Sequence, residues 1–248
     1  FSNQAMLDGM ETFFSERSYN PVMEYMERAA SNWDSRKRIN QMLQVYLGAE
    51  DIDLVSKIAE MWLVGAVAKV YDPYAKFDYV LDLVGGQGVG KTSLLKKLGG
   101  EWYTDAVTDF ANKDNYDIML KALIINDDEM VASNRMSFAE TKAFISKTSL
   151  RFRKPYMKRT EEFAKNFVLA RTTNQKEYLK DKTGERRFLP VLANIEKQKK
   201  HPMEIEPETV EQIWGEAVTI YKAGADLMFD KETEERLEIY REKFMYRD

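Results

Sequence analysis

A glycine-rich loop that ends in lysine and threonine is the part of this sequence best suited to chemistry. Residues 85–92 read GGQGVGKT and fit the pattern G-x-x-x-x-G-K-[ST]. Glycines let the backbone wrap a phosphate with its N–H groups inward, in conformations that a Cβ atom would obstruct. Lys91 would then neutralise the β and γ phosphates of a nucleotide, and the Thr92 hydroxyl would bind Mg²⁺. The residues predicted to contact the nucleotide are Gly85, Gln87, Gly88, Val89, Gly90, Lys91, Thr92 and Ser93.

Three acidic residues follow the next apolar run. Asp127, Asp128 and Glu129 come directly after residues 122–126, ALIIN, at the predicted carboxyl end of a buried strand, where open α/β sheets bind ligands. We expect Asp128 to bind the Mg²⁺ ion, with Asp127 as the alternative, and Glu129 to polarise the attacking water. An exposed acidic loop is the other interpretation. The guanine-binding motif N-K-x-D is absent from the sequence, which disfavours a GTPase.

An asparagine follows the next predicted strand. Residues 167–170, FVLA, precede two threonines and Asn174, whose amide could hydrogen-bond the attacking water or the γ-phosphate. Asparagine after a strand is also common in turns. Its order in the chain, after the glycine loop and the acids, favours the catalytic interpretation.

Two adjacent arginines stand in the run TGERRF. Arginine stabilises the charge of a transferring phosphoryl group, within one chain or from a neighbouring one, so Arg186 and Arg187 are candidates for catalysis. A surface ion pair with Glu185 or Asp181 is the alternative. We expect one of the two arginines to act across a subunit boundary, and we prefer Arg186 because Arg187 could be held by the strand that follows.

A basic stretch lies between the acidic residues and Asn174. Its cations are interleaved with Phe152 and Tyr156, and cations with aromatic rings are how sequence-tolerant single-strand binders hold phosphates and stack bases. Pro155 and the polar residues after it suggest a turn or hairpin that projects from the sheet. A solvated basic loop is the alternative. The candidate DNA-binding residues are Lys147, Arg151, Arg153, Lys154, Lys158 and Arg159.

The predicted secondary structure alternates between helix and strand after a helical beginning. Apolar residues recur at helical spacing up to about Val70, so residues 1–72 are predicted to form a helical N-terminal unit. Residues 73–195 are predicted to form the phosphate-loop core, an α/β unit with a parallel sheet covered on both faces, and residues 196–248 a helical C-terminal segment. The predicted strands are residues 77–84, 122–126, 167–170 and 188–192.

Composition excludes several classes of protein. With no Cys and one His among 248 residues, there can be no disulfide framework or thiolate zinc site, and histidine-based metal chemistry is disfavoured. Since no run is apolar enough for a membrane helix and no signal peptide is evident, we expect a soluble, cytoplasmic protein. The start at Phe1 suggests a fragment of a longer chain. A net charge of −4 leaves nucleic-acid binding to depend on the local basic stretch.

The order of these motifs resembles the virulence-associated protein E family, which comprises helicase-like phosphate-loop ATPases related to superfamily three helicases and to poxviral primase-helicases. The similarity covers about residues 20–225 and rests on LVGGQGVGKTSLLKKLGGEW, ALIINDDEM, KAFISKTSLRFRKPY and RTTNQKEYLKDKTGERRFLPV. It implies an AAA+-like fold, ATP and Mg²⁺ as cofactors, a hexameric ring with an arginine finger in TGERRF, and often an upstream primase-type domain. In related helicases the hairpin between the acidic strand and the sensor lines the ring pore, which makes the basic stretch the expected DNA contact.

The expected function is that of an ATP-dependent DNA helicase or translocase in the replication of a phage or mobile element. Such a protein would hydrolyse ATP at the subunit interfaces of a ring and act on single-stranded or forked DNA. One rival is an ATP-gated loader or scaffold that binds DNA without unwinding it. The other is a phosphate-loop kinase, which would need an acceptor pocket and no ring.

Overall fold

The computed structural model describes residues 20–50, 52–154, 159–179 and 185–246. Its first helix begins where the sequence provides a cap: the Asn20 side chain accepts a hydrogen bond from the Met23 N–H at 3.2 Å. Gly48 follows the second helix with φ 61°, a left-handed conformation that favours glycine. The three N-terminal helices are α1 Pro21–Ser31, α2 Ile39–Leu47 and α3 Asp53–Tyr71.

Within the described residues, seven strands form one sheet of five and one two-stranded hairpin. The strands are β1 Val80–Val84, β2 Tyr103–Thr104, β3 Ile124–Asp127, β4 Ser149–Phe152, β5 Glu161–Ala164, β6 Val168–Thr173 and β7 Phe188–Leu192. The larger sheet has the order β2-β3-β6-β1-β7, and every neighbouring pair in it is parallel. The glycine loop therefore leaves the sheet from β1, between β6 and β7.

The predicted α/β fold with a parallel sheet is confirmed, with differences at the strand ends. β1 begins at Val80, because Phe77 instead packs under α3, where a Cβ on Gly65 would lie within 2.5 Å of the Phe77 ring. β6 extends to Thr173, so the threonines before Asn174 belong to the strand. The two-residue β2 was not predicted, since so short a strand has no readable period.

Helices pack on the sheet and on one another around one continuous core. The Trp62 indole of α3 donates to the Leu169 carbonyl in β6 at 2.9 Å, and the Trp214 indole donates to the Leu98 carbonyl at 2.9 Å. Both rings are fully buried, and their N–H groups find partners as buried polar groups must. The remaining helices are α4 Lys91–Gly99, α5 Tyr116–Leu120, α6 Val131–Asn134, α7 Phe138–Ile145, α8 Pro207–Lys222 and α9 Lys231–Arg241.

Helix α8 packs against the N-terminal helices. A Cβ on Gly215 would lie 2.3 Å from the Ala29 carbonyl oxygen, so the two helices approach as closely as glycine allows. The buried Glu216 carboxylate accepts hydrogen bonds from the Arg38 and Ile39 N–H groups, at 2.6 and 3.0 Å, at the start of α2. Helices from the N-terminal and C-terminal parts of the described chain thus contribute to the same core.

The chain after α8 differs slightly from prediction. A helix was expected over residues 231–246, whereas α9 ends at Arg241 and a 3₁₀ turn follows over Glu242–Phe244. Among the described residues, no helix combines the length and apolar character needed to cross a membrane.

Candidate active site

At two positions the glycine loop adopts backbone conformations and contacts that leave no room for a side chain. Gly85 has φ 154°, and a Cβ there would lie 2.7 Å from the Ala193 carbonyl oxygen. Gly90 has φ 90°, and its Cβ would lie 2.7 Å from the Pro202 ring. The segment after β7 is therefore pressed against the loop from one side.

The other predicted nucleotide contacts line the same loop. Gln87 and Gly88 are exposed at its tip, and Ser93 is half-buried in the first turn of α4. Val89 is buried, and its carbonyl accepts a hydrogen bond from the Gln198 amide at 2.9 Å. The single histidine, His201, is half-buried beside Gly90, a position that no motif in the sequence predicts.

Lys91 is held inside the loop. Its side-chain Nζ donates to the Gly85 carbonyl at 2.7 Å, the Gly86 carbonyl at 3.0 Å and the Asn174 Oδ1 at 2.9 Å. Burial lowers the pKa of Lys91 from its usual 10.5, and the nearby carboxylates of Glu129 and Asp128 oppose that change. The ammonium group thus lies inside the loop, where it would be next to a phosphate that the loop held.

Asp128 receives three hydrogen bonds on one oxygen. Its Oδ1 accepts from the Thr92 hydroxyl at 2.8 Å, the Thr172 hydroxyl at 2.8 Å and the Asn126 amide at 3.1 Å. Burial alone would raise the pKa of Asp128, but these hydrogen bonds outweigh it and lower the pKa below 3.8. The carboxylate therefore stays ionised next to the Thr92 hydroxyl, as a Mg²⁺ site would require.

Asp127, the alternative metal ligand, is used differently. Its Oδ1 accepts from the Ala132 N–H at 2.7 Å, and its Oδ2 accepts from the Ser133 N–H at 2.9 Å and the Ser133 hydroxyl at 2.5 Å. The side chain thus caps the start of α6. Because both carboxylate oxygens serve that cap, the structure disfavours the alternative assignment and leaves Asp128 as the metal candidate.

Glu129 sits in a strained turn that aims it back at the strand ends. Glu129 and Met130 have φ values of 51° and 55°, a left-handed conformation that is costly for residues with a Cβ. The Glu129 N–H donates to the Thr172 hydroxyl at 3.1 Å, and the Asn174 amide donates to Glu129 Oε1 at 3.1 Å. The turn therefore places an exposed carboxylate beside Asn174 and close to Lys91.

The two arginines lie beside the amino-terminal ends of the strands, whereas the glycine loop follows a carboxyl-terminal end. β1 and β7 are parallel with Val80 beside Phe188, so Arg186 and Arg187 precede the strand ends that are farthest from the glycine loop. The five residues of β1 separate the two ends of the strand, which corresponds to about 16 Å. Arg187 is tied to its own chain, since its Nε donates to the Ser146 hydroxyl at 2.9 Å and lies 3.5 Å from an Asp78 oxygen. Arg186 is exposed.

The predicted hairpin is present as the antiparallel pair β4–β5. Arg151 lies opposite Glu162, and Lys147, Arg151, Arg153 and Arg159 are exposed. The Lys154 ammonium lies 4.3 Å from the centre of the Phe163 ring. Lys158 falls outside the described residues.

One aromatic residue of the basic stretch is not available for stacking. Phe152 is buried, with its ring 5.5 Å from that of Tyr116 and 5.1 Å from that of Phe163. The expectation that Phe152 stacks on bases is therefore wrong, because in β4 the aromatic side chain faces the core while the arginine beside it faces solvent. Tyr156 lies outside the described residues.

Sequence reasoning missed a buried ionic pair that links the strands carrying the site. The Arg171 guanidinium of β6 donates to both oxygens of Asp82 in β1, at 2.7 and 2.5 Å, and the Tyr178 hydroxyl donates to the same carboxylate at 2.5 Å. Asp82 is fully buried, so the pair can persist only because its hydrogen bonds are satisfied. Asp82 and Arg171 are each a charged residue in the middle of an apolar strand, and this is the sequence signal from which the pair could have been inferred.

These features define an α/β protein in which a glycine loop, an acidic strand end and a polar strand end meet at one edge of a parallel sheet. The virulence-associated protein E-like domain matches residues 26–246, and the chain belongs to that family. The family resemblance inferred from the motifs is thereby confirmed. No curated protein sequence matches the chain significantly.

Solved structures with a similar fold include the C-terminal region of NrS-1. One apo structure of that region is 17% identical to this chain with a TM-score of 0.54, and the match covers 85% of this chain and 53% of the NrS-1 chain. A second, of residues 305–718, is 19% identical with a TM-score of 0.49 and coverages of 83% and 49%. The chain thus spans about half the length of these structures. At such identities the likeness concerns the fold alone.

Proposed function

We propose that this chain is a Mg²⁺-dependent ATP hydrolase of helicase type that acts on DNA in the replication of a phage or mobile element. The observation that carries the proposal is the meeting of Lys91, Asp128, Glu129 and Asn174 at the carboxyl edge of the sheet. These four side chains lie in the segments that follow three neighbouring strands, and each has the chemistry that phosphoryl transfer to water needs.

Each residue of the site has its own role in the proposed hydrolysis of ATP. Lys91 neutralises the β and γ phosphates, while the backbone N–H groups of the loop hold them. Glu129 takes a proton from water as the water oxygen bonds to the γ phosphorus and the bond to the β-phosphate oxygen breaks, releasing ADP. Asn174 fixes the Glu129 carboxylate by its amide hydrogen bond.

The residues present fit a Mg²⁺ ion. The Thr92 hydroxyl oxygen and Asp128 Oδ1 lie 2.8 Å apart, and both are hard oxygen ligands of the kind that Mg²⁺ prefers. Among the residues that the structure describes, no group of three or more His, Cys, Asp or Glu side chains could hold a metal without further ligands. Thr92 and Asp128 would therefore hold the ion together with the phosphates. Bound there, Mg²⁺ would supply positive charge against the phosphate oxygens.

The position of Arg186 supports action between subunits. At about 16 Å along the strand direction from its own glycine loop, it cannot reach a phosphate bound there. An exposed guanidinium at one edge and a phosphate site at the other suit a head-to-tail assembly, in which Arg186 serves the next copy. The proposed assembly is a ring, as the family resemblance implies.

The hairpin β4–β5 is the proposed DNA contact. Arg151, Arg153 and Arg159 are exposed along it and at its outer end, where they can reach backbone phosphates. Since Phe152 is buried, binding would rest on phosphate contacts more than on stacking within the described residues.

The direct test measures phosphate release from ATP, with and without Mg²⁺ and single-stranded DNA, and images the protein by electron microscopy with an ATP analogue and a forked DNA. Mg²⁺-dependent release stimulated by DNA, and a ring around one strand, are expected. Phosphate transfer to a small acceptor by a ring-free protein would show a kinase instead. Rings that load on DNA but never separate a fork would show a loader.

A further inference from the structure

The backbone around the arginine pair is fastened to the end of helix α9. Arg241, the last residue of that helix, is only 3% exposed. Its Nη2 donates to the Arg186 carbonyl at 2.8 Å, and its Nε donates to the Phe188 carbonyl at 2.9 Å. Its Nη1 pairs with Glu234 Oε1 at 2.9 Å, which holds the guanidinium on its own helix. One side chain thus spans the backbone on both sides of Arg187.

The chain before this turn is held by the same C-terminal segment. The Tyr178 and Leu179 N–H groups donate to the Phe244 carbonyl at 3.0 and 3.1 Å, and the Tyr246 N–H donates to the Leu179 carbonyl at 2.8 Å. Residues 241–246 therefore hydrogen-bond to the backbone at two places, residues 178–179 and residues 186–188. The Tyr178 hydroxyl continues the connection to Asp82 in β1, the strand that leads into the glycine loop.

This arrangement needs arginine in particular. The guanidinium presents donors in a fixed planar fork, so it can satisfy two carbonyls and a carboxylate at once. A lysine ammonium is a point charge on a flexible stem and cannot hold the two carbonyls, which flank Arg187, in one fixed geometry. Because catalytic groups displaced by about 1 Å can lose about 10²-fold in rate, the position of the turn matters if Arg186 acts in a neighbouring site.

We propose that Arg241 is a positioning residue that sets the placement of Arg186 against the phosphate site of the next subunit. The inference rests on the proposed action of Arg186 between subunits. The proposal gives helix α9 a second role besides packing in the core. Through Arg241 the helix acts as a clamp, which means that it fixes the backbone of the turn that carries Arg186.

The test uses Arg241→Lys and Arg241→Gln in the full chain, with Arg236→Gln as the matched control. Arg236 lies on the same helix but pairs with Asp53 at the surface, so its replacement should leave activity unchanged. Both Arg241 variants should bind a fluorescent ATP analogue with wild-type affinity, because their glycine loops are intact. Their rate of ATP hydrolysis should fall by about tenfold or more.

Mixing experiments separate positioning from a general structural effect. An Arg241 variant mixed with Lys91→Ala should recover part of the activity, since the first supplies a working loop and the second a correctly placed Arg186. The same variant mixed with Arg186→Ala should recover nothing, because both lack a working arginine. A protein that had merely lost its fold would bind no ATP analogue and would be rescued by neither partner.

Three results would overturn the proposal. Wild-type hydrolysis by Arg241→Lys and Arg241→Gln, with Arg186→Ala inactive, would refute the clamp alone and leave the action of Arg186 intact. Loss of ATP binding in both variants, without rescue by Lys91→Ala, would show that Arg241 serves the fold only. Full activity in Arg186→Ala would refute the intersubunit role of Arg186 and the clamp together.

Discussion

The Lys91 ammonium and the Asn174 amide oxygen lie 2.9 Å apart, and the nitrogen of the same amide donates to Glu129 at 3.1 Å. An amide can accept at its oxygen and donate at its nitrogen, so Asn174 contacts a cation and a carboxylate at the same time. Lys91 begins the helix that follows the glycine loop after β1, Asn174 follows β6 and Glu129 follows β3, and the three residues meet because β6 lies between the other two strands. The site is thus a product of strand order.

Lys91→Ala should abolish ATP hydrolysis while leaving the fold intact. The change removes the charge that faces the β and γ phosphates, and we expect turnover to fall by at least about 10²-fold. Steady-state phosphate release measures the loss, and circular dichroism checks the fold. Lys121→Ala, at an exposed position, is the control. Normal turnover by the Lys91 variant would remove the basis for a nucleotide site in the glycine loop.

Glu129→Gln should separate binding from chemistry. The amide keeps the shape of the side chain but cannot take a proton, so ATP should bind normally while hydrolysis falls by about 10²-fold or more. Single-turnover kinetics and a fluorescent ATP analogue measure the two steps. Glu24→Gln, exposed on α1, should change neither. If turnover were unaffected, another group would have to be the base.

Arg186→Ala and Lys91→Ala should complement each other when mixed. Each variant alone should hydrolyse ATP poorly, but the first retains a working loop and the second a working arginine. In a random mixture of equal parts, about one interface in four would combine the two intact halves, so activity should recover to about a quarter of the wild-type value. No recovery at any ratio, at concentrations where oligomers form, would indicate that the arginine does not act between subunits.

Replacing Arg151 and Arg153 with Ala should weaken binding to single-stranded DNA and reduce its dependence on salt. Each lost phosphate contact lowers the slope of log affinity against log salt by about 0.7, so the pair should lower it by about 1.4. Fluorescence anisotropy at several salt concentrations measures the slope. Lys231→Ala, at an exposed position on α9, is the control. An unchanged slope would place the DNA contact elsewhere.

Lys165→Met should make the stability of the protein less dependent on pH between about 7 and 10. Burial, followed by the charge of Lys69, lowers the pKa of Lys165 to about 7, whereas the unfolded chain keeps the usual value of 10.5. As the pH falls through this window, the unfolded state gains a proton that the folded state does not, so the free energy of unfolding of the wild type decreases. One proton corresponds to about 1.4 kcal/mol per pH unit, so the effect is on the order of a few kcal/mol.

Urea unfolding at pH 7 and pH 10 checks this prediction for Lys165. The variant loses the hydrogen bond from Lys165 to the Ile145 carbonyl, and that loss acts at both pH values. Burial also lowers the pKa of Lys69 to about 8, so the contribution of Lys165 is the part of the pH difference that the wild type shows and Lys165→Met lacks. Lys121→Met, at the exposed position, should show the wild-type difference, and the same difference in Lys165→Met would contradict the lowered pKa.

The parts of the site that lie within short stretches of sequence could be predicted. The glycine loop, the acids after a buried strand and Asn174 after the next strand are each local patterns, and parallel strands bring their carboxyl ends to one edge. The sequence favoured Asp128 over Asp127 but could not predict the different contacts of the two side chains, since these depend on a turn in which Glu129 and Met130 both have positive φ. Local preferences disfavour that conformation for both residues.

The long-range contacts could not be predicted. Asp82 pairs with Arg171, 89 residues away, and Arg241 reaches the Arg186 carbonyl across 55 residues. No periodicity links such partners in a single sequence. The burial of Phe152, by contrast, was within reach, because Leu150 and Phe152 alternate with Arg151 and Arg153, and the apolar face of a strand packs on the core.

The parallel pairing of β1 and β7 places Arg186 at one end of the strands and the glycine loop at the other, so under the proposed action between subunits each copy would have a donor end and an acceptor end. A row of copies joined donor to acceptor always leaves one arginine and one loop unused at its two ends. Under that proposal two copies would complete a single catalytic centre, three in an open row would complete two, and only a closed ring would bring every loop into use. The rate of ATP hydrolysis per copy would therefore rise with the number of interfaces formed. A single copy would bind ATP but would hydrolyse it only after a neighbour had joined it.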